Sequence, residues 1–257
     1  MSRPLRALLV CGGNWHDFDF ARVELLELLG ENPEVGTRVA EDYGDLEAIA
    51  AADFLVSYTC DVHATEEQQR ALARFVEAGG RWLALHGTNS VMRFTQRGVE
   101  SPRSQPLLMQ TLGSQFLAHP PIGRFRVRVS RPEHPLVAGI EDFEVEDELY
   151  LCEYHGESEA LLETRFTGEA PGFVEGSWPD DAPRLVMYLR RIGRGAVLYN
   201  TLGHCRGRYD MRPMMDVYPR VERCAWDEPV YYELLRRGLR WAAEPRAPEA
   251  AAPEATP

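Results

Sequence analysis

Gly79-Gly80-Arg81-Trp82-Leu83-Ala84-Leu85-His86-Gly87-Thr88-Asn89 is the stretch that decides the fold. A short apolar run closed by a polar residue and a glycine is how α/β proteins present a side chain on a tight strand-to-helix turn. Hydrolases carry a Ser or Cys nucleophile at that turn, whereas this chain carries an imidazole. His86 is therefore marked as a general base, a metal ligand, or the sign of a fold that has lost its nucleophile.

Upstream of that turn, residues 5–10 read as a buried strand, and residues 18–29 carry apolar side chains at helical spacing behind Asp17 as N-cap. Further strands are expected at 37–40 and 53–58. Thr65 with Gln68 makes a capping box for a helix that stops at Gly79-Gly80. Strands separated by helices predict a mostly parallel, doubly wound α/β sheet covered on both faces. Downstream of Gly113 the texture changes. Residues 124–130 alternate Arg with Phe or Val, 148–154 read as a short strand, and 184–190 pair with 196–201 as an antiparallel hairpin across Ile192-Gly193-Arg194-Gly195. Asp227-Glu228-Pro229 opens a last helix to about residue 243. One domain is expected over 1–244, followed by an Ala/Pro/Glu-rich tail over 245–257 that is expected to be disordered. The long segment from Cys205 to Trp226 is expected to act as a lid or an oligomer contact.

The formal charge of −12 disfavours nucleic acid and acidic membrane surfaces as partners. No stretch reaches the length of a spanning helix, and the first residues lead straight into a strand, so a cytoplasmic protein is expected. All 28 basic residues are Arg. The absence of Lys excludes Schiff-base catalysis, pyridoxal phosphate anchoring and a phosphate-loop lysine. Five cysteines without a CxxC pair argue against a disulfide framework, and Cys11 and Cys60 read as inert buried thiols.

Ligands of open α/β sheets bind outside the carboxyl ends of the strands. His16, His86 and His204 each follow a predicted strand and so converge on one rim. Imidazole suits either proton transfer near neutral pH or, in its neutral form, metal ligation. Trp15 beside His16, with Tyr58 across the rim, would give a flat surface for a sugar ring. Asn89, which follows His86 on the same turn, and His119 in Ala118-His119-Pro120-Pro121 are expected to reach the same cleft as further contacts for the sugar. The acidic run Glu146-Asp147-Glu148 reads, from its residues alone, as a solvated loop. His63, His134 and His155 read as structural or exposed.

Taken together, His16-Asp17-Phe18, Leu85-His86-Gly87, His119-Pro120-Pro121, His134-Pro135, Asp147-Glu148-Leu149-Tyr150, Gly193-Arg194-Gly195 and Leu202-Gly203-His204 resemble the ThuA-like (trehalose utilisation) family over residues 5–243. The resemblance implies a class I glutamine amidotransferase-like, flavodoxin-like fold, with His86 standing where true amidotransferases hold their catalytic Cys. It also implies a role in bacterial disaccharide catabolism through 3-keto derivatives, generally beside an oxidoreductase. Its rim maps onto His16, His86, Glu148 and His204, with His119 as a further candidate, and it promotes Glu148 from solvated loop to cleft carboxylate. Leu185-Val186-Met187-Tyr188 and the Met- and Arg-rich segment after Cys205 depart from the family pattern, which bears on the substrate more than on the fold.

Three functions follow as expectations. In the first, a sugar-processing enzyme acts on a keto-disaccharide or related derivative, with His86 as base or ligand, Glu148 orienting it, and His16 and His204 holding substrate. A variant of that reading places a divalent metal such as Zn²⁺ on His86, Glu148 and His204. The second is a non-catalytic sugar-binding or regulatory protein that uses the same cleft. The third is a residual hydrolase using Cys60 or Cys205. The apolar residues of the final segments also suit a homodimer.

Overall fold

The computed structural model describes residues 3–244; the tail expected over 245–257 lies outside the described residues. The chain opens with β1 (Leu5–Gly13), α1 (Phe18–Gly30), β2 (Val35–Ala40), α2 (Leu46–Ala51), β3 (Phe54–Cys60), α3 (Glu66–Glu77) and β4 (Arg81–Leu85). A small hairpin of β5 (Arg93–Thr95) and β6 (Gly98–Glu100) precedes α4 (Pro106–Leu112), β7 (Ser114–Ala118) and β8 (Gly123–Val129). Then come β9 (Phe143–Asp147), β10 (Leu151–Tyr154), β11 (Glu159–Arg165), β12 (Gly168–Glu169) and β13 (Ser177–Trp178). The hairpin β14 (Pro183–Ile192) and β15 (Gly195–Asn200), and finally α5 (Pro229–Ala243), complete the chain.

Nine strands form one sheet in the order β2-β1-β3-β4-β15-β14-β11-β8-β9. The first five are mutually parallel and the rest run antiparallel. Adjacent residues of each strand face opposite layers. Leu9, Leu83 and Leu198 pack with Leu25 of α1 and Leu235 of α5, while Leu8, Trp82 and Val197 pack with Ile49, Leu72 and Leu108 on the other face. The expected capping box at Thr65 and Gln68 is present, and Asp17 accepts the amide of Phe20 to start α1. The expected strand over 148–154 is shorter: it begins at Leu151, pairs with β7 outside the main sheet, and leaves 148–150 irregular. Short helices α2 and α4 and the small hairpins carry no local signal strong enough to be expected from sequence.

Parallel register brings the site together. Gly13 pairs with Cys60, Tyr58 with Leu85, and Leu85 with Asn200, so the carboxyl ends of β1, β3, β4 and β15 lie side by side. The chain leaves β4 through a single 3-10 turn, His86–Asn89, with His86 at φ 45°. That left-handed conformation costs a residue with a Cβ roughly 1–2 kcal/mol. It is held by the Tyr199 hydroxyl, which donates to the His86 carbonyl (2.5 Å) and accepts from the Asn89 amide (2.9 Å). Gly87 then presses against the end of β3, where an added Cβ would sit 2.6 Å from the Thr59 carbonyl oxygen. Backbone cannot yield as a side chain can, so Gly87→Ala is expected to destabilise the fold by about 3 kcal/mol in denaturant unfolding. A loss below about 0.5 kcal/mol would contradict this account of the turn.

Candidate metal and active site

His16, on the loop after β1, His86, after β4, and His204, after β15, are buried and meet Glu148, which follows β9. One ligand atom from each of the four lies within 4.8 Å of all the others. His86 Nδ1 lies 2.8 Å from the Thr201 carbonyl and His16 Nδ1 lies 3.3 Å from that of Asn14. A carbonyl only accepts, so each neutral ring carries its proton on Nδ1 and a lone pair on Nε2. Those two Nε2 atoms stand 2.9 Å apart. Two lone pairs at that distance repel unless a proton or a metal cation is shared between them. His204 Nε2 contacts the Glu222 carboxylate at 3.0 Å, which directs its Nδ1 to the same centre, 3.1 Å from Glu148 Oε1. That approach is misaligned for a hydrogen bond and leaves His204 Nδ1, a buried polar atom, without a directed partner. Each imidazole is thus tied through one nitrogen to an oxygen acceptor while the other faces a common point, the arrangement that metal-binding histidines adopt. The donor set, three imidazoles and one carboxylate, fits a divalent transition metal.

The same contacts set the charge states of the metal-free site. Burial, followed by His86 and His204, holds His16 well below the usual imidazole range. Burial opposes a charge on Glu148, yet His119 and His204 keep its carboxyl well below the usual carboxylate range. Burial likewise opposes a charge on His204, and Glu148 and Glu222 outweigh it, lifting that imidazole to about 9. Asp147, pushed up by its burial, accepts the amides of Glu148 (2.7 Å), Gly203 (2.8 Å) and His204 (3.0 Å). One carboxylate thereby fixes the backbone on both sides of the site.

A cavity of about 410 Å³ opens on this cluster. It is lined by His16 and Glu148, together with His119, Tyr150, Arg206 and Glu222. Of the remaining sequence candidates, Trp15 lines it, but Tyr58 and Asn89 do not. Tyr58 lies on a strand buried on both faces; its hydroxyl donates to the Gly203 carbonyl and its ring stacks behind His86. Asn89 is fully buried, where its amide nitrogen donates to Ser114 Oγ. These two belong to the support of the site, which corrects the sugar-binding surface expected of them. His86 and His204 are also fully buried and, unlike His16 and Glu148, do not line the cavity.

Three groups at the cavity went unread in the sequence. Tyr150 places its hydroxyl 3.2 Å from His86 Nε2. Arg206 reaches Glu222 at 3.2 Å and Glu148 at 3.7 Å. Glu222 closes that chain of contacts by its bond to His204. Arg206 and Glu222 also bridge backbone to backbone at the base of the 205–226 segment, whose Met211, Met214 and Tyr218 line the cavity mouth. The thiol readings fall away: burial pushes Cys205 up to about 12 and Cys60 well above its usual value, so neither carries an activated thiolate. His63 is exposed beside Asp61, and the His134 ring accepts the Leu136 amide within its own turn.

Sheet, strand-end turn and rim define a doubly wound, flavodoxin-like α/β protein with its site at the carboxyl edge. The chain belongs to the ThuA family: the profile of that family, described as trehalose utilisation, matches residues 6–220. Among solved structures, a ThuA-like protein from Bacteroides uniformis superposes with a TM-score of 0.65 at 15% identity, covering 94% of this chain and 93% of that one. A ThuA-like protein from Parabacteroides merdae gives 0.60 at 16% identity, covering 96% and 92%. A cytoplasmic protein from Salmonella typhimurium gives 0.51 at 13% identity, covering 93% and 97%. No curated protein matches the sequence.

The raised His204 value has a consequence for the metal-free protein. A group whose folded value exceeds its unfolded value near 6.5 stabilises fully below the latter and loses that contribution as pH rises through about 9. The stability difference between the metal-free protein and its His204→Gln variant should therefore be largest below pH 6.5, on the order of 3 kcal/mol, and fade towards pH 9. A difference that stays flat across this window, followed by urea unfolding at each pH, contradicts the assignment.

Proposed function

We propose that this ThuA-family protein is an enzyme acting on an oxidised sugar, a keto-disaccharide or related keto-glycoside, at a His16-His86-Glu148-His204 centre that holds a divalent metal such as Zn²⁺. The observation that carries the reading is the convergence of two imidazole lone pairs 2.9 Å apart on a buried carboxylate beside an open cavity. A divalent cation held by these four residues would supply Lewis acidity.

The remaining chemistry falls to groups that reach the cavity. His119 Nδ1 lies 2.7 Å from the Pro120 carbonyl, which fixes one proton there and makes Nε2, 3.5 Å from Glu148, the nitrogen that exchanges a proton with the ligand. His119 Nε2 removes the hydrogen on the carbon next to the ketone, and the electron pair left behind passes to the carbonyl oxygen as an enolate. Return of that pair expels the glycosidic oxygen from the adjacent carbon, and the proton held by His119 goes to it as it leaves. Arg206 provides permanent positive charge near the developing enolate, a task no Lys is present to share. His86 and His204 act through the centre they hold, and Asp147 positions His204 and Glu148 against each other.

A sugar oxidoreductase that installs the ketone is the pathway partner this chemistry requires. Five unpaired cysteines fit a reducing cytoplasmic setting, and among the described residues no helix is long and apolar enough to cross a membrane.

Two measurements test the proposal. Protein purified without a His tag should carry about one equivalent of transition metal, and His16→Ala or Glu148→Gln should lower that content several-fold. Content well below one equivalent, with no change in thermal midpoint on chelation, removes the metal. His119→Ala should retain the metal and lose about 10² to 10⁴ in turnover of 3-keto-disaccharides; unchanged turnover removes His119 as the base.

A further inference from the structure

The polar groups of the cavity form one connected cluster, from His16 through Glu148 and His204 to Glu222 and Arg206. The opposite character dominates the rest of the wall. Phe116 packs on Tyr150 (4.7 Å between centroids) and on Phe173 (5.8 Å), and Phe173 in turn meets the ring of His119 at 4.9 Å. Val99 of the β5–β6 hairpin is joined to this wall by backbone hydrogen bonds, its amide donating to Gly172 and its carbonyl accepting from Val174. Phe94, on the same hairpin, sits edge-on to Trp15 at 5.2 Å and is about half exposed. Met92 and Ile122 extend the apolar lining, and the hydroxyl of Ser90, which also lines the cavity, is itself buried.

This distribution matters for what the cavity accepts. A second sugar ring set against such a wall would place several hydroxyls where nothing answers them, and each unanswered buried hydroxyl is penalised. An aromatic or alkyl group would instead bury apolar surface against flat rings, with offset or edge contacts open to it. The cavity, at about 410 Å³, lies at the lower end of the usual range for small-molecule sites, so the character of its wall rather than its size selects the group beside the sugar.

We propose that the preferred substrate is a keto-glycoside of a single sugar with an apolar, aromatic aglycone: the keto-sugar meets the His/Glu centre and the aglycone lies against Phe94, Phe116 and Phe173. The proposal rests on the catalytic reading above, which it narrows from disaccharides to aryl glycosides. The β5–β6 hairpin is then a specificity element, absent from the acid–base chemistry itself.

The test compares phenyl 3-keto-glucoside with 3-keto-trehalose, by kcat/KM and by the shift each gives in thermal midpoint. The phenyl compound should be favoured at least tenfold in kcat/KM. Phe94→Ala, at a half-exposed position remote from His119, should lose about tenfold on it while changing the disaccharide less than twofold. Equal or better use of the disaccharide, or equal losses on both substrates, overturns the aglycone proposal and leaves the catalytic reading standing. If neither compound turns over, the catalytic reading fails. Stronger thermal stabilisation by the phenyl compound would then uphold the apolar subsite in a binding protein, and stabilisation by neither would overturn both.

Discussion

The buried negative charge of Glu148 is the constraint around which the rim is arranged. An isolated carboxylate in such surroundings would take up a proton or unfold its neighbourhood. Here His86, His119, His204 and Arg206 all approach it within 3.1 to 3.7 Å. Those four groups come from the ends of β4, β7 and β15 and from the segment that follows, so the charge can be satisfied only when the whole carboxyl edge is assembled. Asp147 makes the requirement stricter. By accepting amides from Gly203 and His204 as well as from Glu148, it joins the antiparallel edge of the sheet to its parallel centre. The site therefore ties the two halves of the sheet together in the folded chain.

How far the sequence foretold this depends on which interactions are local. Strand, helix and cap signals act within a few residues, and the capping box at Thr65, the strand ending at Leu85 and the hairpin about Gly193 were all legible for that reason. Strand ends that share a register then placed His16, His86 and His204 on one rim without further information. Side-chain direction was not legible in the same way. Tyr58 lies on a strand with no solvent-facing side, so its hydroxyl had to turn inward, a fact set by the layers packed over it. Asn89 was drawn into the core by the 3-10 turn that His86 begins. Arg206 and Glu222 sit 16 residues apart and meet across the base of an irregular segment, where neither periodicity nor spacing leaves a trace. The Glu146-Asp147-Glu148 run looked solvated because three acids in a row are costly to bury. Two of the three are buried all the same, and family resemblance rather than charge pattern pointed to Glu148.

Division of labour within the site follows from depth. His86 and His204 lie on the floor and serve the centre, whereas His119, Tyr150 and Arg206 stand where a ligand can meet them. The floor is built from the turns that close the sheet, and the walls come from the β5–β6 hairpin, the segment around Phe173 and the loop after Cys205. Rigid elements thus carry the charge while less regular ones shape the opening.

The left-handed turn at His86 has one more implication. In hydrolases built on this kind of turn, the bend thrusts a reactive atom outward into the solvent-filled cleft. With an imidazole that is fully buried and anchored to Thr201, the same bend aims inward, and the side chain does not line the cavity. The left-handed residue that ends β4 is thereby set apart from the side chains that line the cavity. A lineage carrying this arrangement can exchange its walls, and with them its chemistry of recognition, without disturbing the geometry at the floor.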